Sequence, residues 1–286
     1  MKRPQWITLA AAVVLTAVLY VFGKTVPAKK TVAAPVDQHS PDDGHNHGAM
    51  SLDSILIMAK KQLKPAQVAF LDGLEAAVAK EKVKEEQVHI YHQLAKYWAD
   101  TARIFEPYAW YTGEGARLEN SEKSLTFAAR LFLENLQSDG SEQRRQWKAL
   151  QAKDLFERSL KINPDNDSSK IGLGACYLFG NISSNPLEGI AKIKEVVDRD
   201  STNVYGQLTL VKGSLLSGQY DKAISRLETV TRLQPTNIEA ILLLADTYER
   251  TGDKKSAVKW YQQCLNLVSE AELKTALQKR IEELKK

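Results

Sequence analysis

Cysteine is scarce in this sequence, which contains only Cys176 and Cys264 among 286 residues. Neither follows the N-terminal apolar run closely, so attachment of a lipid to a processed N-terminal cysteine is excluded. The two lie 88 residues apart, in non-adjacent units of the helical array that the periodicity indicates, and we expect no disulfide between them. We interpret both as small core residues.

An excess of charge of one sign is also missing from most of the chain. Five of the 39 basic and three of the 35 acidic residues precede residue 51, which leaves 34 against 32 in the remainder. A nucleic-acid surface would need a basic stripe interleaved with aromatic residues. The sequence therefore predicts no nucleic-acid partner, and its 43% hydrophobic content is ordinary for a chain that folds.

Signatures of catalysis and of metal binding are weak. The segment GLGACYLFG, residues 172–180, has no preceding strand pattern and no Lys-Ser or Lys-Thr pair, so it does not match a phosphate loop. His89 and His92 lie three residues apart beside Glu85 and Glu86, but no ligand from a second helix is identifiable, which favours structural histidines. We predict a protein that is not an enzyme and has no cofactor and no catalytic residue.

One long apolar run, WITLAAAVVLTAVLYVF, occupies residues 6–22. As a helix it would span roughly 26 Å, enough to cross the hydrocarbon core of a bilayer. The alternative, a cleaved signal peptide, needs a shorter apolar region and a better cleavage site than Val26-Pro27-Ala28. An uncleaved anchor is favoured, and we assign residues 1–23 to a short head and a transmembrane helix.

A short head before a single apolar segment resembles a bacterial signal anchor. This predicts a single-pass protein of the inner membrane with its C-terminal domain in the periplasm. Residues 24–50 show no helical or strand period and are predicted to form a disordered tether. The tract DDGHNH at 42–47 leaves an alternative function open, that of an envelope protein that binds or delivers metal, although the spacing fits no closed site.

From residue 51 onward, apolar residues recur at spacings of three and four and no alternating strand pattern is found, so the predicted fold class is all-α. The predicted helices are 52–63, 66–81, 85–103, 107–119, 121–137, 142–162, 168–180, 187–199, 203–217, 220–233, 237–251, 254–268 and 271–285.

Much of this chain repeats with a period of 34 residues. Gly218 recurs as Gly252, and Asn203 recurs as Asn237. With three extra residues allowed as an insertion in 181–186, the small residues Ala152, Gly189, Ala223 and Ala257 align, as do the large residues Phe156, Ile193, Leu227 and Tyr261. A small and a large residue four positions apart lie on one helix face, where a neighbouring helix can approach closely and then interlock.

A helix-turn-helix unit of this length, with these glycines and with Pro164 and Pro235 near its end, resembles the tetratricopeptide repeat (TPR) family. The resemblance implies a right-handed helix-pair solenoid that binds proteins. We assign 51–137 to N-terminal helices and degenerate repeats, 138–271 to TPR-like repeats, and 272–286 to a capping helix. The aromatic residues of 91–111 are predicted to seal the N-terminal end of the array, with a binding pocket as the alternative.

In the TPR family the first helix of each pair lines a groove that binds a peptide or a partner helix. The resemblance therefore implies a membrane-tethered scaffold or assembly adaptor for a protein partner of unknown identity. Because Asp246 and Glu249 are acidic, a basic or mixed ligand is favoured over a terminal carboxylate. The predicted partner-binding residues are Tyr205, Leu208, Lys212, Leu215, Glu239, Leu242, Asp246 and Glu249.

Overall fold

The structure is a computed structural model that describes residues 48–183 and 185–286. Within these ranges it contains thirteen α-helices and no strand, which confirms the all-α prediction. Their bounds are α1 Leu52–Lys60, α2 Pro65–Lys80, α3 Lys84–Lys96, α4 Phe105–Glu119, α5 Glu122–Leu136, α6 Glu142–Ile162, α7 Asp167–Phe179, α8 Leu187–Arg199, α9 Val204–Leu216, α10 Tyr220–Leu233, α11 Ile238–Arg250, α12 Lys254–Leu267 and α13 Ala271–Leu284.

The helices from α5 onward pack as consecutive hairpins, α5 with α6, α7 with α8, α9 with α10 and α11 with α12, and α13 covers α12. The first helices α5, α7 and α9 also contact one another in succession. This confirms the prediction of a TPR-like solenoid of helix pairs. The predicted boundary at 137/138 falls in the turn of the α5–α6 hairpin, and α3 packs with α4 as a further helix pair before it.

Repeated asparagines fix where the first helices begin. Asn166, Asn203 and Asn237 are the N-cap residues of α7, α9 and α11. Each side-chain oxygen accepts a hydrogen bond from the backbone N–H three residues further on, at 2.8–3.0 Å. Such a cap stabilises a helix by about 1 kcal/mol, so the recurrence of asparagine, at steps of 37 and 34 residues, sets the register of the repeats.

Two glycines reverse the chain between paired helices. Gly218 and Gly252 have φ angles of +70° and +85°, in the left-handed region that side chains with a Cβ rarely adopt. Each follows the last turn of a first helix, where Gly252 N donates to Glu249 O at 3.0 Å. The 34-residue spacing of these glycines is therefore the distance between the inner turns of two successive hairpins.

The aligned small and large residues form the seams between helices, as predicted. All eight lie in the interior: Ala152, Gly189, Ala223, Ala257, Phe156, Ile193, Leu227 and Tyr261. Helices α7 and α8 approach each other closely, because a Cβ placed on Gly189 would lie 2.4 Å from the carbonyl oxygen of Gly174. The segment 172–180 is thus a closely packed helix, and Cys176 and Cys264 are unpaired core residues.

Aromatic side chains fill the core of the N-terminal helices. Trp98 and Tyr111 are buried, and the other aromatic residues of 91–111 are buried or half-buried around them. A single π-helical turn, Tyr97–Ala102, follows α3 and ends at Arg103, whose φ angle is +55°. These contacts support the interpretation of the aromatic cluster as a core and not as a binding pocket.

The predicted anchor and most of the tether lie outside the described residues. Among residues 48–183 and 185–286, no helix has the length and apolarity needed to cross a membrane. The end of the predicted tether is part of the fold, because Met50 N donates to Gln143 O at 3.1 Å and the Met50 side chain packs on the core beneath α1 and α4–α7. The folded part therefore starts before residue 51.

Candidate functional site

The first helices of the hairpins enclose a pocket of about 640 Å³, with walls from α7, α9 and α11 and from the start of α6. Apolar side chains and basic side chains share its surface. The lining residues are Gln137, Arg145, Leu178, Phe179, Lys212, Leu215, Leu216, Leu243, Asp246, Thr247 and Arg250.

Two further pockets extend this space along α5. One of about 170 Å³ shares Gln137, Phe179 and Lys212 with the first pocket. The other, of about 640 Å³, shares Arg130 and Glu134 with the 170 Å³ pocket. The three pockets therefore form one continuous surface across α5, α7, α9 and α11, which we call the groove.

Four of the eight predicted partner-binding residues line the groove. These are Tyr205, Lys212, Leu215 and Asp246. Their role in binding a partner stays a prediction. The other four do not line the groove. Leu208 and Leu242 pack against core clusters. Glu239 pairs with Lys212, and Glu249 faces α13.

Charged groups along the groove pair mostly with their neighbours. Lys212 Nζ lies 3.0 Å from Glu239 Oε1, which links α9 to α11. The Arg130 guanidinium lies over the Tyr205 ring, 5.9 Å from its centroid, and pairs with Glu134 at 3.1 Å. Burial raises the pKa of Tyr205 to about 12, so the phenol stays neutral at physiological pH.

Two acidic residues on α11 form hydrogen bonds with the neighbouring helices α12 and α13. Tyr261 Oη lies 2.5 Å from Asp246 Oδ1 and 2.9 Å from Glu249 Oε2, so the two carboxylates share its single proton. Glu249 also accepts from Arg280 Nε of α13, at 2.9 Å. Burial, together with the hydrogen bond to Asp246, raises the pKa of Tyr261 well above its ordinary value.

We expect Glu249→Gln to reduce stability more than Lys212→Gln does. The first change removes the charge that holds Arg280, and the expected cost is about 1 kcal/mol, the upper end for a partly exposed pair. The second change alters an exposed pair with Glu239 and should cost less than about 0.5 kcal/mol. Urea unfolding followed by circular dichroism measures both, and equal costs would contradict the α11–α13 contact.

Sequence reasoning missed much of the groove for two reasons. On α9 and α11 it selected Leu208 and Leu242, whereas the next residues, Thr209 and Leu243, line the pockets. Steps of four, three and four residues from Tyr205 lead to Thr209, Lys212 and Leu216, which lie on the same helix face. This spacing in the sequence could have identified the residues of α9 that line the groove. Helix α5 has no aligned copy in the repeat, so Phe127, Arg130, Leu131, Glu134 and Gln137 went unassigned.

The weaker chemical candidates do not come together. His92 Nε2 lies 3.2 Å from Glu119 Oε1 on α4, and both histidines of α3 are exposed. Within the described part of the chain, no group of three or more His, Cys, Asp or Glu side chains is placed to hold a metal ion. The acidic and histidine-rich tract at 42–47 lies outside the described residues.

Comparisons with known proteins agree with this architecture. Residues 214–279 match a family model described as a tetratricopeptide repeat. The lipopolysaccharide assembly protein B of Haemophilus influenzae is 28% identical over 143 residues, which are 49% of this chain and 35% of that protein. The chain thus matches about a third of the length of this curated relative.

Solved structures of similar fold include a tetratricopeptide repeat protein from Parabacteroides merdae, with a TM-score of 0.52 and 13% identity over 82% of this chain and 86% of that one. A thermophilic TPR protein from Thermus thermophilus gives a TM-score of 0.46 and 15% identity, with coverage of 71% and 98%. The succession of packed helix pairs and the likeness to the Parabacteroides merdae structure make the described chain a TPR-like helical solenoid.

Proposed function

We propose that this protein is a membrane-tethered TPR-type scaffold or assembly adaptor whose groove binds an extended peptide or a helix of a partner protein. The observation that carries the proposal is the continuity of the groove across four first helices. Peptide recognition of this kind combines apolar anchor sites with polar edges. The groove offers both.

Exposed apolar side chains in the groove support the proposal. Leu216 is 74% exposed and Phe127 is 58% exposed, although both are large and apolar. They line the two ends of the groove, with Tyr205 between them. Large apolar residues that face water inside a groove favour an interaction surface.

The tether is part of the proposal because of the apolar run at 6–22. An anchor there, followed by a polar segment of about 25 residues, would let the folded part reach roughly 30 Å from a bilayer. The assembly role named for the Haemophilus influenzae relative supports an adaptor working near the bacterial envelope, in our proposal from the periplasmic side of the inner membrane. We propose no catalytic role.

Site-specific photocrosslinking in native membranes tests the proposed function. A photoreactive amino acid replaces Lys212 in the groove, and a matched protein carries it at Arg232, an exposed position on α10 outside the pockets described above. We expect a discrete adduct at position 212 that is absent at 232 and that disappears in Leu216→Asn. Adducts of equal yield at both positions, or none at either, would reject binding in the groove.

A further inference from the structure

The wall of the pocket at the C-terminal end of the groove carries more positive than negative charge. Arg145, Lys212 and Arg250 line it, against a single acidic residue, Asp246. The excess of two positive charges is local, because residues 51–286 as a whole are nearly balanced. A wall of this sign attracts carboxylates and repels a basic ligand.

The acidic residues near this pocket are already bound by the protein. Asp246 accepts the hydrogen bond of Tyr261, and Glu249 binds both Tyr261 and Arg280. A basic ligand would have to compete with these contacts at Asp246 Oδ1 and at both oxygens of Glu249. The sequence-based expectation of a basic or mixed ligand counted both carboxylates as fully available, and these contacts weaken that reason.

The basic side chains, in contrast, keep donors available. Arg250 is exposed and forms no hydrogen bond or ion pair with the described residues. Arg145 donates one hydrogen bond, from Nη1 to the carbonyl oxygen of Asp139 at 3.2 Å. Lys212 pairs with Glu239, whose side chain is 53% exposed, and an exposed pair is weak enough to exchange for a ligand carboxylate.

An apolar surface lies beside these donors. Phe179 and Leu215 are half-buried in the pocket wall, and Leu216 is largely exposed there. A bound segment would therefore meet guanidinium groups and an apolar surface within one pocket. Arginine binds carboxylates through paired hydrogen bonds, which gives geometric selectivity as well as affinity.

We propose that this end of the groove binds a peptide segment in which an apolar side chain is flanked by aspartate or glutamate. This proposal rests on the function proposed above and specifies its ligand. The apolar side chain packs on Phe179, Leu215 and Leu216, and the flanking carboxylates pair with Arg145 and Arg250.

Selection from a random peptide library tests the ligand class. The full-length protein in detergent is presented with peptides of about twelve residues displayed with blocked C-termini, so that only side-chain carboxylates are offered. The same selection is run with Arg250→Gln and with Arg232→Gln. The two arginines are matched, since each is exposed and lies in the last turn of its helix.

We expect the parent protein and Arg232→Gln to enrich peptides with Asp or Glu beside Leu, Ile or Phe. A synthetic peptide of this kind should bind Arg250→Gln about tenfold more weakly in fluorescence anisotropy, and the loss should shrink at high salt because screening weakens the charge contact in the parent. Replacing its acidic residues by Gln should cost a similar factor. Leu216→Asn should weaken binding with little salt dependence, whereas Leu187→Asn, at a position 68% exposed outside the groove, should not.

Two other outcomes separate this proposal from the one on which it rests. Enrichment of basic or neutral peptides that is lost in Leu216→Asn would overturn the acidic ligand and leave peptide binding in the groove intact. No enrichment at all, or enrichment that neither Arg250→Gln nor Leu216→Asn reduces, would overturn both proposals.

Discussion

Replacement of Gly189 by alanine should destabilise the solenoid by about 3 kcal/mol or more, at the upper end for an overpacked interior. The new Cβ would lie 2.4 Å from the carbonyl oxygen of Gly174 and 2.9 Å from Cβ of Tyr177. A backbone oxygen cannot rotate away as a flexible side chain can, so α7 and α8 must separate. Their separation would also loosen the seam around Ile193, which is fully buried.

Gly73→Ala is the matched control for this change. Gly73 is exposed in the middle of α2, and a Cβ there meets nothing within 4 Å. Alanine should stabilise this helix by about 0.5–1 kcal/mol, because glycine loses more backbone freedom on folding. Thermal unfolding of the full-length protein measures both variants. A Gly189→Ala protein that melts with the parent would show that α7 and α8 do not approach so closely.

The fold was predictable because its repeated contacts are local and periodic. A small residue followed four positions later by a large one marks a seam, and asparagine and glycine mark where helices start and turn. Over the two C-terminal units each feature recurs at 34 residues, so the agreement of Ala223 with Ala257 and of Gly218 with Gly252 is enough to set the register. The thirteen predicted helices accordingly correspond to the thirteen in the described part of the chain.

The groove was harder to predict because exposure depends on the neighbouring helices. Asp246 and Glu249 have the spacing of surface residues on α11. In the structure, however, both accept from the Tyr261 hydroxyl of α12, and Glu249 also binds Arg280 of α13. Arg145, from the start of α6, reaches a pocket formed mainly by first helices. Such contacts join segments far apart in the chain, and hydrophobic periodicity carries no information about them.

A buried group of charges was also beyond the sequence analysis, and it joins α4, α5 and α6. Lys148 is 1% exposed, and its Nζ lies 2.6 Å from Asp139 Oδ2 and 2.9 Å from Glu106 Oε1. Asp139 also accepts hydrogen bonds from Arg144 Nε at 2.9 Å and from Ser141 N at 2.9 Å.

Asp139→Asn should therefore destabilise the protein by about 3 kcal/mol. Removing one partner of a buried pair typically costs roughly 3–5 kcal/mol, and the lower end applies here because Glu106 still pairs with Lys148. Urea unfolding at neutral pH measures the loss. Glu195→Gln is the control, since the Glu195 side chain is 61% exposed in its pair with Lys170 and its loss should cost less than about 1 kcal/mol. Similar losses in both variants would show that the Asp139 cluster is not effectively buried.

The same carboxylate should make stability depend on pH in the acid range. Burial alone would raise the pKa of Asp139, but hydrogen bonds from Arg144 and Lys148 outweigh it and hold the pKa well below its ordinary value. A carboxyl group with a depressed pKa contributes its stabilisation above the unfolded value of about 3.9 and loses it as the pH falls further. The parent should thus lose its advantage over Asp139→Asn between about pH 5 and pH 2. If the difference between the two unfolding free energies stayed constant over that range, Asp139 would not be ionised and paired as the structure indicates.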